Sequence, residues 1–538
     1  MRPGRLLGLA CAAWLLAASV VAQPVAPPPL VVLVIVDGLP QRQLTAYADQ
    51  FAADGFNRFL REGAVYTQAH HAHAHTVTAP GHASLLTGAY AQRHGIIANE
   101  WRDPASGEAT TATTDPAAVL IGHAPLPQDG TSPRLLLAET LGDVLRRLRP
   151  QAKVLSVAGK DRSAILAGGH AGTAYMYVPR SGRFASSSWY MQRHPAWVDA
   201  FHAGRPADRW FRAEWQPLLP PAAYARSVPD DQPWFGLRGG RLPMRLAGSL
   251  EIAPGQRYHE ALLASPFADA LTLEFARAAV QGEQIGRDAV PDLLVIGLSA
   301  HDIVNHTWSA ESRLSHDHLL QLDRLLQDFF QALDAEVGRD RYLAALSSDH
   351  GFMPAAEAQG GRTGRIATGQ LVARVNAELE RRFGAAPLVA FASASGLVLD
   401  RRLLAARSLA SDAVAAAARE AVAAQPGIAA AYTRAELASG SRVGAPYFEA
   451  MQRSWHPQRS GDVQYTPQSG WLFGNGVASH GSAQPYDTHV PLLLWGPRWV
   501  RPGRIATPVE AVDLVTTLAG ILGLPPPAQA QGRPLPQP

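Results

Sequence analysis

Three segments of the chain are apolar at almost every position, a pattern typical of strands that are buried on both faces of a sheet. They are VVLVIV (31–36), DLLVIGLS (292–299) and YLAALSS (342–348), and HVPLLLWG (489–496) predicts a further strand. Runs of this length without polar alternation indicate parallel strands that are covered by helices on both sides.

Patterns with a helical period separate these runs. They cover RLLLAETLGDVLRRL (134–148) and HLLQLDRLLQDFFQALDAEV (318–337), and VDLVTTLAGILG (512–523) predicts a closing helix. Strands that alternate with helices favour an α/β fold, with a mostly parallel central sheet sandwiched between helices. The tail PPPAQAQGRPLPQP predicts a loosely held end.

Two regions interrupt the alternation and are interpreted as insertions. Residues 185–245 are rich in Trp, Pro and Arg, and residues 385–470 combine an Ala-rich helical part with a polar part rich in Gly, Ser and Arg. Both could be cap elements near a site, or surface additions with ordinary aromatic packing. The length of residues 23–538 permits about three domains, and it equally permits one large α/β domain over that whole range that carries both insertions.

The first 22 residues have the layout of a cleavable secretory signal. Arg2 and Arg5 precede an apolar run that ends in small residues and is too short for a membrane span. The single cysteine, Cys11, lies inside this run, so the mature chain would have neither a disulfide nor a thiol nucleophile. A lipoprotein signal is the alternative, but the residues before Cys11 fit it poorly. We expect a periplasmic or secreted protein without a membrane span in the mature chain.

The overall composition is that of a globular protein with an ample core, since 47% of the residues are hydrophobic and 17% are charged. The net charge is only +3, and no block of lysines and arginines occurs. This argues against nucleic acid as a partner.

Acidic and imidazole side chains follow each of the three buried runs. Asp37 ends the first, Asp302 and His306 follow the second, and Asp349 and His350 end the third. Each residue alone has an ordinary explanation as a turn or cap residue. Ligands of open α/β sheets bind beyond the carboxyl ends of the strands, however, and charges gathered there are costly unless something binds them. The matching placement at three strand ends therefore indicates a metal centre, and the mixed nitrogen and oxygen donors suit zinc.

A second feature is the segment HHAHAHTVTAPGHASLLTG (70–88), in which Thr78 precedes a helical pattern and Pro80 stands where a first helical turn tolerates proline. A hydroxyl group at such a junction lies over free N–H groups, at the positive end of the helix dipole, and suits a phosphate or another oxyanion. The ordinary alternative is a plain helix cap, because a hydroxyl needs a base or a metal before it attacks at neutral pH.

Other histidines are ambiguous. His480 and His489 both lie in SHGSAQPYDTHVPLLLWGP (479–497), and each could be a ligand or a hydrogen-bonded core residue. Nothing marks the alternating histidines upstream of Thr78 as ligands, although they would share one face of a strand. These are His71, His73 and His75.

Together the motifs resemble the alkaline phosphatase superfamily over nearly the whole mature chain. Their order is the family's: VIVDG, then T-x-P-x-H with TG and HGI downstream, then D-x-x-x-H, then S-D-H-G, then H-G before a GP strand. The chain is most similar to the nucleotide pyrophosphatase/phosphodiesterase branch and its phosphate-irrepressible alkaline phosphatase relatives, which use a threonine nucleophile. The resemblance implies an alkaline phosphatase-like fold over residues 23–538.

The resemblance also implies two zinc ions per chain. One would be bound by Asp302, His306 and His480, and the other by Asp37, Asp349, His350 and the oxygen of Thr78. His480 is chosen over His489 because the family ligand stands in an H-G context about sixteen residues before the GP, whereas His489 begins the strand.

The phosphate-irrepressible monoesterases carry an Asn, a Lys and an Arg that grip the phosphoryl oxygens. The matching residues are Asn99 in GIIANEW, and Lys160 and Arg162 in AGKDRSAIL, which share one face if that segment is extended. The mechanism that the resemblance implies is attack by a zinc-activated Thr78, formation of a phosphothreonine, and release of phosphate by water that zinc activates.

The function that these motifs favour is an exported, zinc-dependent alkaline phosphatase acting on small-molecule phosphate monoesters, with a monomer as the expected state. The alternatives are a nucleotide pyrophosphatase/phosphodiesterase on the same scaffold, and an exported metal- or phosphate-binding protein without turnover. A sulfatase is disfavoured because Thr78 replaces the Cys or Ser that could become a formylglycine.

Overall fold

The computed structural model describes residues 26–538 except 105, 128, 249, 361–362 and 386. The predicted signal segment 1–22, with Cys11, therefore lies outside the described residues. The strands are β1 (Leu30–Val36), β2 (Ala64–Tyr66), β3 (Ala69–His70), β4 (Glu100–Arg102), β5 (Ala109–Thr111), β6 (Val154–Ala158), β7 (Thr173–Val178), β8 (Arg183–Ala185), β9 (Glu214–Trp215), β10 (Met244–Arg245), β11 (Asp292–Leu298), β12 (Tyr342–Ser347), β13 (Gly364–Ile366), β14 (Val389–Ala392), β15 (Gly396–Leu399), β16 (Ile428–Thr433), β17 (Val463–Pro467), β18 (Trp471–Phe473), β19 (Leu492–Trp495), β20 (Gly503–Ile505) and β21 (Val509–Glu510).

The α-helices are α1 (Gln41–Tyr47), α2 (Phe56–Glu62), α3 (Thr78–Thr87), α4 (Ala91–His94), α5 (Leu141–Leu148), α6 (Asp161–Gly168), α7 (Ala196–Ala203), α8 (Gln256–Leu262), α9 (Pro266–Gly282), α10 (Ala300–Trp308), α11 (Arg313–Glu336), α12 (Thr368–Phe383), α13 (Arg401–Ala406), α14 (Ser411–Ala423), α15 (Arg434–Ser439), α16 (Phe448–Ser454), α17 (Pro485–Thr488) and α18 (Asp513–Ile521). In the part of the chain that the structure describes, no helix is both long enough and apolar enough to cross a membrane.

A nine-stranded mixed sheet forms the centre of the fold, in the order β20-β2-β19-β12-β1-β11-β6-β7-β8. Strand β1 lies between β11 and β12 and is parallel to both. Strands β6 and β7 continue the parallel part, whereas β19 is antiparallel to β12 and to β2. The three apolar runs of the sequence are thus neighbours, and their carboxyl ends lie at one edge of the sheet.

The two faces of the sheet are covered by separate hydrophobic cores, which is why the central strands are apolar at every position. On one face Val32 and Val34 of β1 pack with residues of α9 and α11. On the other face Val31 and Leu33 pack with residues of α3, α5 and α18. The sheet sandwiched between helices confirms the predicted fold class.

Residues 364–473, named the cap here, form a second unit with its own core. Strands β14, β15, β17 and β16 pair in that order into a sheet, and helices α12 and α14 pack on it. Strands β13 and β18 form a parallel pair at its side. The Trp-rich region 185–245 behaves differently, because aromatic side chains such as Trp197 and Trp210 pack directly on the main core.

Two sequence-based expectations are wrong. The pattern over 134–148 does not form one helix, because Thr140 begins α5 with a capping box in which its side chain and that of Asp143 each accept a backbone N–H. Residues before it form only a short 3-10 turn, Pro133–Leu135.

The predicted loose end is also ordered. The Gln531 and Gly532 N–H groups donate to the Gly88 carbonyl at the end of α3, over 2.7 and 3.2 Å. The Leu535 N–H donates to the Thr517 hydroxyl, and the Leu535 side chain is buried. The tail is therefore packed against the helix that begins with Thr78.

Candidate metal and phosphate site

Thr78 is buried and is the first residue of α3, with Val77 extended before it. The Ala79 N–H in the first turn donates to Asn99 Oδ1 over 2.8 Å. Because the amide oxygen of Asn99 is used in this way, its NH₂ group remains as the donor. A Cβ atom at Gly81 would lie 2.1 Å from the Asp349 carbonyl oxygen, so only glycine lets the first turn approach this closely.

The three predicted carboxylates lie together beyond the carboxyl ends of the central strands. Asp37 directly follows β1, and Asp349 follows β12 after one intervening residue. Asp302 lies in the first turn of α10, after β11. All three side chains are buried. One oxygen of each, namely Asp37 Oδ1, Asp302 Oδ1 and Asp349 Oδ2, has no hydrogen-bond partner among the described residues.

The predicted histidines share one orientation. His306 Nδ1 is 3.2 Å from the Ala478 carbonyl oxygen, His350 Nδ1 is 2.8 Å from that of Gly351, and His480 Nδ1 is 2.8 Å from that of Thr76. A ring nitrogen that bonds a carbonyl carries the proton, and the other nitrogen is left with a lone pair. Histidines that bind metals are oriented in this way by their second nitrogen.

The Nε2 atoms point toward the free carboxylate oxygens. His350 Nε2 lies 3.4 Å from Asp37 Oδ1 and 3.5 Å from Asp349 Oδ2. His480 Nε2 and His306 Nε2 lie 3.5 and 3.4 Å from Asp302 Oδ1. Buried carboxylate oxygens that face imidazole nitrogens at this distance are costly unless a proton or a metal cation lies between them. The donor set therefore fits metal ions.

Two groups of these side chains could hold a metal ion. The ligand atoms of Asp37, Asp349 and His350 lie within 4.8 Å of one another, and so do those of Asp302, His350 and His480. The first group is the set predicted for one ion. The second group contains His350 at the place that the resemblance gives to His306. His306 lies next to this group, with its Nε2 atom 3.4 Å from Asp302 Oδ1.

His489 lies outside both groups. Its Nε2 atom bonds the Thr67 carbonyl oxygen over 2.9 Å, and its ring stacks on that of His70. His71, His73 and His75 are buried but follow β3 without forming a strand, so the shared strand face expected for them is absent.

Lys160 connects the two carboxylate groups. Its ammonium donates to Asp37 Oδ2 over 2.8 Å and to Asp302 Oδ2 over 2.6 Å. Lys160 precedes α6 and Arg162 lies in its first turn, so the two residues stand at a strand-to-helix junction and do not share one extended segment. The Arg162 guanidinium is 3.8 Å from Asp161, and both Lys160 and Arg162 line a cleft of about 400 Å³.

Against the effect of burial, neighbouring positive charges lower the pKa of the Asp302 and Asp349 carboxyl groups. Burial lowers the pKa of His350, but the carboxylates of Asp349, Asp37 and Asp302 together raise it to about 9. Burial acts to raise the pKa of Asp302, but the Lys160 ammonium and the neighbouring histidines hold it well below its usual range. Ionised carboxylates are the form that binds metals.

His82 is the histidine of the T-x-P-x-H motif, but it is absent from the site predicted from the sequence. Its Nδ1 atom is 3.2 Å from Asp349 Oδ2 and 3.0 Å from the Thr78 carbonyl oxygen, so it connects the helix that starts with Thr78 to a candidate ligand. The signal was present, since His82 is four residues after Thr78 and such residues share a helix face.

Comparisons with known proteins agree with this geometry. The family model described as type I phosphodiesterase / nucleotide pyrophosphatase matches residues 31–489, a range that contains every residue of the candidate site. Alkaline phosphatase PafA of Elizabethkingia meningoseptica is 31% identical over 94% of this chain and 94% of its own length. Alkaline phosphatase PhoV of Synechococcus elongatus is 30% identical over 96% of this chain and 94% of its own length. The crystal structure of wild-type PafA matches with a TM-score of 0.88 at 30% identity, covering 95% of this chain and 99% of that chain.

Proposed function

Because the chain belongs to the type I phosphodiesterase / nucleotide pyrophosphatase family of the alkaline phosphatase superfamily, we propose that it is an exported, zinc-dependent alkaline phosphatase. Its substrates are small-molecule phosphate monoesters, and Thr78 is its nucleophile. One observation carries the proposal. Three imidazole Nε2 atoms and three buried carboxylates meet at the helix end where Thr78 stands.

The metal part of the proposal rests on the donor atoms. Asp302, His306 and His480 would bind one zinc ion, and Asp37, Asp349 and His350 would bind the other, with the Thr78 hydroxyl beside the second set. Zinc ions bound there supply Lewis acidity, which lowers the pKa of a nearby hydroxyl and offsets charge on the phosphoryl oxygens.

The chain's own residues prepare the phosphoryl group for attack. The start of α3 presents N–H groups and the positive end of its dipole to an anion. The Ala79 N–H donates to the Asn99 amide oxygen, so the NH₂ group of Asn99 is left to act as a donor. Lys160 and Arg162 supply positive charge where the three non-bridging oxygens of a monoester carry most of the negative charge.

The observation that separates this function from its closest alternative is the pair Lys160 and Arg162. The family description also covers phosphodiesterases, which act on substrates with one charge and a second organic group. Two cations beside the phosphoryl site favour a doubly charged monoester, and they occupy space that a second substituent would need.

The deciding experiment is a comparison of matched aryl substrates. The zinc-loaded protein is assayed with 4-nitrophenyl phosphate and with bis(4-nitrophenyl) phosphate, which release the same phenol. We expect kcat/KM for the monoester to exceed that for the diester. A preference for the diester would instead assign the phosphodiesterase function, and no turnover of either would indicate a binding protein.

A further inference from the structure

A second cleft, of about 240 Å³, opens beside the candidate site and is named the aromatic cleft here. It touches the site at Asn99 and His480, and its opposite wall belongs to the cap. Trp471, Phe473 and Tyr486 supply its aromatic rings.

The position of the Trp471 indole is fixed by main-chain packing. A Cβ atom at Gly427 would lie 2.3 Å from the indole, and one at Gly364 would lie 2.7 Å from it. The two glycines thus let the backbone approach the ring so closely that it cannot turn toward them. The side chain is half-buried and lines the cleft, so it forms a preformed flat wall.

The chemical lining of the aromatic cleft is unlike that of the cleft at Lys160 and Arg162. Among the described residues that line it there is no lysine or arginine, whereas Glu100 and Asp487 contribute acidic side chains. Ser393 and Ser395, whose hydroxyl oxygens are 3.0 Å apart, contribute polar groups. Burial raises the pKa of Asp487 to about 7, so Glu100 is the group that would repel an additional anion here, whereas a neutral ring would not be repelled.

We propose that the aromatic cleft binds the leaving group of the substrate and selects an uncharged aryl group over a small alkyl group. This rests on the proposed phosphomonoesterase function and names its substrate class. A volume of about 240 Å³ is below the ~300–1,000 Å³ of pockets for drug-sized ligands, so it accommodates one ring and its substituents. Stacking on a flat aromatic wall favours a planar group.

The cleft takes part in substrate binding without changing the balance of the reaction. The Thr78 oxygen forms the new bond to phosphorus and its proton passes to water. The bond between phosphorus and the aryl oxygen breaks, and that oxygen leaves with the electron pair and is released as a phenolate or, after protonation by water, a phenol.

The test compares phenyl phosphate with methyl phosphate in variants of the zinc-loaded, full chain. Trp471→Ala should lower kcat/KM for phenyl phosphate about tenfold, because the flat wall is lost, and change that for methyl phosphate less than about twofold. Trp471→Phe keeps an aromatic ring and should retain most of the aryl activity. The matched control is Trp189→Ala, which removes an exposed tryptophan outside the cleft. It should leave kcat/KM unchanged for both substrates.

A cleft-filling variant gives an independent test that removes no core contact. Ala394 is exposed and lines the cleft, so Ala394→Trp should block it. Binding is measured alongside turnover, through inhibition by phenylphosphonate, methylphosphonate and inorganic phosphate. We expect Ala394→Trp and Trp471→Ala to raise the inhibition constant of phenylphosphonate about tenfold. The inhibition constants of methylphosphonate and inorganic phosphate should stay unchanged.

The outcomes separate the two levels of the proposal. A wild-type protein that hydrolyses neither ester refutes the phosphomonoesterase function itself. In the second case the wild-type protein hydrolyses both esters, while the variants alter kcat/KM and inhibition equally for the phenyl and methyl compounds, or alter neither. That result refutes the cleft as the leaving-group site. If Trp471→Ala does not fold, Ala394→Trp decides.

Discussion

His306, His350 and His480 each direct Nδ1 toward a main-chain carbonyl group, and these carbonyls come from separate parts of the chain. The residue types at the strand ends could be predicted from sequence, because a charge at the end of a buried run is conspicuous. The orientations of the His306 and His480 rings could not, since each depends on a carbonyl that only the fold brings near, whereas His350 bonds the carbonyl of its neighbour Gly351. The same holds for Lys160, whose contacts with Asp37 and Asp302 join residues more than a hundred positions apart.

The first residue-scale prediction concerns the nucleophile. Thr78→Ala should remove covalent catalysis, because no hydroxyl remains at the start of α3, and should leave the metal content nearly unchanged. Thr78→Ser should keep part of the rate. Turnover of 4-nitrophenyl phosphate and elemental analysis are the measurements. If Thr78→Ala keeps more than about a tenth of the wild-type kcat, a loss of under ~1.4 kcal/mol, another group is the nucleophile.

A second prediction concerns the two cations. Lys160→Ala with Arg162→Ala should lower monoesterase kcat/KM by about 3 kcal/mol per lost contact, or several orders of magnitude in all. Diesterase activity should fall far less, because a diester carries one negative charge.

Metal analysis is the control, since Lys160 also contacts two candidate ligands. An equal loss of both activities at unchanged metal content would contradict the assignment of Lys160 and Arg162 to monoester recognition.

At the scale of elements, the sequence predicts best where burial is complete. β1, β11 and β12 lie within one or two residues of their apolar runs, because a strand covered on both faces admits few polar residues. The helix expected at 134–148 begins only at Leu141, where the Thr140 capping box overrides an apolar pattern. A cap element is one of the two interpretations that the sequence allows for residues 385–470, but its sheet could not be predicted, because it pairs strands that lie far apart in sequence.

The packing of α2 on α11 depends on a buried ion pair. Arg58, whose side chain is fully buried, donates to both carboxylate oxygens of Asp334 over 2.9 and 2.7 Å, and the Tyr342 hydroxyl donates to the same group. Asp334→Ala leaves the buried guanidinium with only the more distant Asp54 carboxylate, 3.5 Å away, as counter-charge. We expect the free energy of unfolding to fall by about 3 kcal/mol in urea denaturation. Asp328→Ala, at an exposed position of α11, is the matched control and should change it by less than about 0.5 kcal/mol.

The pH dependence of this difference follows from the pKa of Asp334. Burial raises that pKa, but hydrogen bonds from Arg58 and Tyr342 lower it more, so it lies below its ordinary value in the folded chain. A depressed carboxyl pKa stabilises the fold above the unfolded-state pKa and loses its effect as the pH falls through the folded-state value. The difference in the free energy of unfolding between wild type and Asp334→Ala should therefore have its full size at neutral pH. It should disappear only below about pH 4. A gap that closes between pH 8 and 6 would contradict this account.

At the scale of the whole molecule, the candidate metal groups join the ends of three neighbouring strands to α3 and to the segment that carries His480. Exhaustive chelation should abolish activity, and zinc should restore it with about two ions per chain by elemental analysis. Because metal binding stabilises the folded state, zinc should also raise the melting temperature of the chelated protein, which gives a readout besides activity. Full activity in metal-free protein would refute the metal requirement. The single domain over residues 23–538 stays a prediction.

The packed tail has a consequence for the order of events during synthesis. The Gly88 carbonyl, at the far end of the helix that begins with Thr78, receives its two hydrogen bonds from residues 531 and 532, which are synthesised long after the helix itself. The helix cannot make these two bonds until residues 531 and 532 have been added, so we expect a polypeptide that ends before them to hold Thr78 and its surroundings less firmly. A chain that stops at Pro527 should show a lower melting temperature and weaker zinc uptake than the full chain. Equal melting temperatures and equal zinc uptake for the two chains would show that the site forms without residues 528–538.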